Sequence, residues 1–329
     1  MREWQAFVET QATAMATSNF ISDASEIGLI LVTGEDAESF LQNQFSNDIS
    51  QIDETMFQLS SYSTPKGRLL AIFRIVQISN GYLLISPISL VESLLQRLQK
   101  FVIQARVNLA NASDHFARFV LQTNNSALCQ HPLLAQQAGK VLQGDSVISL
   151  QLSSIDNENR YLVLCLSCDE AKSLWEEFSQ HLQKARFDAW RLSEIKAGIP
   201  VIYPQTSEEF VLQMANLDLL DGVSFKKGCY PGQEIVARMH YLGKLKRRMF
   251  LTTLETERCP APGDEIISKG AESADGSGKV VDAVSDSNGS CHCLYVAQIK
   301  KAANNELSLL DQPQVELAPV ELPYSSLTV

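Results

Sequence analysis

The sequence predicts an α+β protein made of two mixed strand-and-helix halves followed by a small all-β module. Three observations predict it. Apolar spacing switches between period two and period 3.6 several times before residue 250. Strand-like and helix-like segments alternate within each half. After Phe250 only short β-rich runs and turns remain.

The first half spans residues 1–110. Residues 26–32 form a short apolar run ending at Thr33-Gly34 and read as a strand. Residues 36–45 place Ala37, Phe40, Leu41 and Phe45 at helical spacing. Residues 68–78 and 82–86 read as strands joined by Ser79-Asn80-Gly81, and Asn-Gly between two such runs signals a hairpin. Residues 89–102 read as an amphipathic helix, with Ser89 and Glu92 at capping-box spacing.

The second half spans residues 111–250. Residues 147–152 and 161–166 read as strands. Residues 169–185 read as one helix, with Leu174, Trp175, Phe178 and Leu182 on one face. Pro231 suits a first helical turn, and residues 233–239 continue as a helix. In the last module, 251–318, strands are expected at 279–284 and 291–299, turning at Ser287-Asn288-Gly289. Residues 319–329 read as an extended tail.

Composition narrows the function. A chain of 329 residues with 45% hydrophobic content can bury real cores. Its net charge of −11 disfavours wholesale coating of nucleic acid. The start, Met1-Arg2-Glu3-Trp4, carries no signal-peptide pattern, and no apolar run is long enough to span a bilayer. A cytoplasmic location and no membrane partner are therefore expected. Without an export signal, the seven cysteines are expected as thiols. Cys165 and Cys168 match C-x-x-C, but no second pair has zinc spacing, so no metal site is expected.

One stretch concentrates chemistry. Lys226-Lys227-Gly228-Cys229-Tyr230-Pro231-Gly232-Gln233-Glu234 puts a cysteine in a cationic, glycine-flanked turn ahead of a helix. Helix dipole and lysines both favour a thiolate there. The same residues also suit a small buried cysteine in a tight turn. Residues 226–248 hold seven of the 27 basic residues, Lys226, Lys227, Arg238, Lys244, Lys246, Arg247 and Arg248, against one acid, Glu234. Such a run fits a phosphate, a carboxylate tail or RNA, or simply a solvated basic face. Trp190 is an aromatic able to stack on a planar ligand, or a core residue.

The stretch 225–238 resembles the K-G-C-Y-x-G-Q-E signature of the YgfZ family, the folate-binding, tRNA-modification-associated relatives of glycine-cleavage aminomethyltransferase. Thr33-Gly34-Glu35-Asp36-Ala37, Thr64-Pro65-Lys66-Gly67-Arg68, Phe210 with Gln213 and Asn216-Leu217, and Gly278-Lys279-Val280 resemble further family segments. The resemblance implies an aminomethyltransferase-like folate-binding core over 1–250 and a C-terminal β-barrel over 251–318. It implies a tetrahydrofolate ligand, with Trp190 and Gln213 as contacts and Ile27 at the position of another. It implies Cys229 as a reactive thiol; beside it, the charge run offers Lys226, Lys227, Arg238, Lys246 and Arg247 as cations for an anion or partner. The implied role is support of iron–sulfur enzymes, notably the radical enzyme that methylthiolates tRNA; direct tRNA contact is a further reading. Lys196 stands where the family usually carries a glutamate that helps hold the pterin, and Leu212 where it carries a proline. Aminomethyltransferases carry an acid shortly after the turn glycine. Here Gly67 is followed by Arg68-Leu69-Leu70-Ala71-Ile72, so standard aminomethyl transfer is not expected, although a folate-dependent one-carbon transferase is the alternative.

Overall fold

Runs of apolar residues with no polar alternation need cover on both sides, and the structure supplies it. The computed structural model describes residues 2–241, 243 and 245–324. Lys244 of the basic run and residues 325–329 of the expected tail lie outside the described residues, as does Met1. The chain divides into two compact units. The first is Met1–Gln42, Asp48–Leu59 and Phe73–Trp190; the second is Asn43–Asn47, Ser60–Ile72 and Arg191–Val329.

The first unit is built on two sheets. A six-stranded sheet runs in the order Gln183–Ala185, Phe20–Asp23, Ala117–Thr123, Glu158–Cys165, Val147–Ile155, Val141–Gln143. A five-stranded sheet runs Phe57–Ser63, Leu69–Ile78, Gly81–Pro87, Ile27–Thr33, Asn108–Asn111; residues 57–59 and 73–78 of its first two strands belong to this unit. The predicted hairpin is present, with Ile78 opposite Gly81.

Period two explains the buried runs. In Glu158–Cys165, Leu162 and Leu164 enter a core shared with Leu29, Val76 and Leu83 of the other sheet. Tyr161, Val163 and Cys165 point the opposite way, into a core with Trp4, Trp175 and Phe178. The helices Arg2–Glu9 and Cys168–Phe178 supply those aromatics.

Two expected helices differ. The segment at 89–102 opens as a 3-10 turn, Ile88–Leu90, and the α-helix is Val91–Gln99. Its N-cap is Leu90 with no side-chain cap, so Ser89 and Glu92 form no capping box. The segment at 169–185 is helical only over Cys168–Phe178, capped by the Ser167 hydroxyl accepting from Glu170 N–H. Gln183–Ala185 is a strand parallel to Phe20–Asp23, and that pairing overrides helical spacing.

The second unit holds the C-terminal sheet in the order Arg247–Leu254, Cys291–Gln298, Gly278–Ser285, Glu265–Ser268, Leu307–Leu309. It curls into a half-barrel around Phe250, Ile266, Val280, Tyr295 and Leu317. A buried polar centre ties it down. Asp282 pairs with Arg191 and accepts from Tyr203 Oη at 2.9 Å. Burial raises the Asp282 pKa against the opposing pull of Arg191.

Candidate functional site

The loop carrying Cys229 is fixed at its base. Ser224 N–H donates to Ser46 O at 3.0 Å. The Ser224 hydroxyl accepts from Lys226 N–H and Lys227 N–H, each at 3.3 Å. Lys227 is buried, and its ammonium donates to Phe45 O at 2.7 Å and Asn47 O at 2.8 Å while lying 5.4 Å from the Tyr230 ring centre. A buried ammonium without acceptors is costly, so these carbonyls decide its place. Burial also pushes the Tyr230 phenol up to about 12.

Two glycine turns meet beneath the loop. Gly232 has φ +85, and a Cβ there would lie 2.7 Å from Gly67 Cα and 2.8 Å from Thr64 O. Gly67 closes its own turn at φ +72, donating to Thr64 O at 2.8 Å. Only glycine permits that approach with positive φ on both sides. The K-G-R turn and the cysteine stretch are therefore one packed feature.

Cys229 is exposed, and it is the exposed one among the five free cysteines. The helix is Gln233–Tyr241, so Cys229 precedes its first residue by four positions (233 − 229) and is not its cap. Cys129 and Cys168 are half-buried, and Cys165 and Cys293 are buried. Burial pushes the Cys165 thiol up to about 12. The expectation of seven thiols is corrected at one pair. Cys259 and Cys291 form a disulfide, because the turn after Cys259 folds back on the sheet and leaves the Cα atoms 5.6 Å apart.

The cations of the basic run divide. Lys226, Arg238 and Lys246 are exposed. Lys227 is held inside as described. Arg248 donates to Gln213 O at 2.8 Å and forks onto Asp218. Arg247 donates to Gly276 O and lines a cleft of about 330 Å³ with Arg68, Phe210 and Lys279. Lys279 lies 3.0 Å from Glu209 and 3.1 Å from Glu265. Burial works against its charge there, but the two carboxylates outweigh it and raise its pKa.

Gln213 is buried; its amide donates to Val236 O at 2.7 Å, and its Oε1 has no hydrogen-bond partner among the described residues. Asn216 follows at φ 59, the left-handed cap that asparagine tolerates. Both glutamine and asparagine of that motif thus have a backbone task.

In the first unit, Trp190 and Ile27 share the core between the two sheets. Trp190 is 3% exposed, and the buried Arg160 guanidinium carbon lies 4.8 Å from its ring centre. No motif in the sequence marks Arg160. No group of three or more metal-ligating side chains occurs among the described residues. No helix among them is long and apolar enough to cross a membrane.

This architecture is the aminomethyltransferase fold. The glycine cleavage system aminomethyltransferase T of Bartonella henselae superposes with a TM-score of 0.73, covering 94% of this chain and 89% of that one at 12% identity. Residues 1–137 match the family described as GCVT N-terminal domain. The chain belongs to the YgfZ family. The tRNA-modifying protein YgfZ of Colwellia psychrerythraea is 31% identical over 260 residues, 78% of each chain. That of Yersinia enterocolitica is 29% identical over 307 residues, 90% of each chain.

Proposed function

We propose that this chain supports tRNA modification in the cytoplasm as a folate-binding accessory protein, with Cys229 as its working thiol. One observation carries the reading: Cys229 stands exposed on a loop whose base is pinned by Lys227 and by the Gly67–Gly232 contact. A thiol meant only for packing would be buried, as Cys165 and Cys293 are. Family membership supplies the process, because the relatives are tRNA-modifying proteins. The client we assign is the iron–sulfur radical enzyme that methylthiolates tRNA.

The ligand we assign is tetrahydrofolate or a derivative, a reading supported by the aminomethyltransferase-like fold. In the first unit, Trp190 and Ile27, the contacts we assign, are both buried in one apolar core, so a flat ring would reach them only where that core opens. Bound folate would supply one-carbon chemistry. The chain's own residues would bind and orient it, and no carboxylate stands among 68–72 to take a proton. Among the described cations of the basic run, Lys226, Arg238 and Lys246 are exposed and open to a partner.

The test is tRNA methylthiolation profiling in a deletion strain carrying wild type or Cys229→Ala. Full rescue by wild type and loss with Cys229→Ala is expected. Equal rescue by both would remove the thiol from the function.

A further inference from the structure

An aromatic cluster joining the base of that loop to the end of the helix Gln233–Tyr241 has no task in the reading above. Phe225 and His240 stack with ring centres 3.8 Å apart and planes 16° apart. Tyr241 meets His240 edge-on at 4.7 Å and Phe225 at 6.4 Å. This cluster is not core: His240 is exposed and Tyr241 is 66% exposed. Lone surface aromatics are ordinary, but three rings gathered at one exposed helix end present π faces for recognition.

The surrounding charge identifies the ligand class. Among the described residues of this segment, the exposed cations are Lys226, next to Phe225, then Arg238, and Lys246 beyond the helix. Arg238 and Tyr241 are three positions apart on Gln233–Tyr241 and so share a helix face. Positive charge beside stacking rings is the arrangement that holds single-stranded nucleic acid: the rings take bases and the cations take phosphates. In a chain of net charge −11 this local sign reversal focuses anions here.

We propose that Phe225, His240 and Tyr241 form a stacking platform for an unpaired RNA base, with Lys226, Arg238 and Lys246 meeting the flanking phosphates. The proposal deepens the tRNA-modification reading and rests on it. It places a looped-out base on the loop that carries Cys229, four residues after Phe225.

Fluorescence anisotropy of the full chain tests it. The probes are a fluorescein-labelled anticodon stem–loop and a fully paired RNA hairpin of equal length, each at 50 and 200 mM salt. The stem–loop is expected to bind about tenfold tighter than the paired hairpin. Tyr241→Ala should remove about that tenfold preference, and Tyr241→Phe should restore it. Lys246→Gln should weaken both RNAs and reduce the salt slope by about one. Phe225→Leu, which keeps apolar volume, repeats the test should Tyr241→Ala perturb the helix end. Equal affinity for both RNAs, no binding at 50 mM salt, or stem–loop affinity unchanged in both Tyr241→Ala and Phe225→Leu would overturn the platform. Modification lost on deletion while the purified chain binds no RNA overturns the platform and leaves the accessory role standing. Selective RNA binding with modification intact after deletion supports the platform and removes the role.

Discussion

Replacing Gly232 by alanine tests the pinned loop most directly. Gly232 sits at φ +85, where an L side chain costs roughly 1–2 kcal/mol. The new methyl would also stand 2.7 Å from Gly67 Cα, 2.8 Å from Thr64 O and 3.0 Å from Gly67 N. All three are backbone atoms, so relief requires moving the Thr64–Gly67 turn, at an overpacking cost of about 1–3 kcal/mol. The sum is about 2–5 kcal/mol, a melting shift of order 5–15 °C for a domain of this size. Gly228 is the internal control: a Cβ there meets nothing within 4 Å, so Gly228→Ala should stay within about 0.5 kcal/mol of wild type. Circular-dichroism melts give the stability, and hydrogen exchange over residues 224–235 locates the change. If Gly232→Ala melted with wild type, or Gly228→Ala fell as far, the packed double turn would not be what holds the loop.

Other consequences follow from buried charge and titration. Arg191→Ala strands the fully buried Asp282 and should cost about 3–5 kcal/mol, whereas the double change Arg191→Met with Asp282→Leu should recover most of it; urea midpoints decide. Burial acts to raise Asp275 and Asp286, but hydrogen bonds from Ser268 and Ser277 to the first, and from His292 and the Asn288 and Ser290 amides to the second, outweigh it and hold both below the usual carboxylate range. A depressed carboxylate stabilises fully above its unfolded value, about 3.9, and loses that contribution as pH falls through its folded value. Melting points between pH 6 and 2 should therefore drop below about pH 4, and Asp275→Asn should flatten part of that drop. Tetrahydrofolate should quench tryptophan emission, and Trp190→Ala should abolish the change, because Trp4 and Trp175 lie in the other core; an unchanged response in the variant would remove Trp190 as a contact.

The sequence carries the elements whose spacing is set locally. The hairpin at 79–81 and the strands around Ile27 and Tyr161 are legible because period two and Asn-Gly act over a few residues. Elements that exist through distant partners are not. Gln183–Ala185 is a strand because Phe20–Asp23 lies beside it. Cys259 meets Cys291 because a turn and a sheet fold together, which no spacing rule announces. Within the site, the cysteine stretch stands out as a motif, but its support does not. The contact of Gly67 with Gly232 and the capture of the Lys227 ammonium by Phe45 and Asn47 join residues far apart in the chain.

The burial of Lys227 changes how the basic run must be probed. Read as sequence, its cations are interchangeable, and reversing Lys246, Arg247 and Arg248 together would be the natural test for RNA. The structure divides them. Arg248 holds Asp218 and Gln213 O, Arg247 holds Gly276 O, and Lys227 holds the base of the loop. Arg248→Glu would set a carboxylate against a half-buried Asp218, so lost binding would follow from lost structure. Lys226, Arg238 and Lys246 bear exposed charge on the same segment, and their neutralisation should leave the melting point unchanged while lowering RNA affinity. An equal loss of stability in Lys246→Gln and Arg248→Gln would show that the run acts as one structural unit, and the division between holding and contacting cations would be wrong.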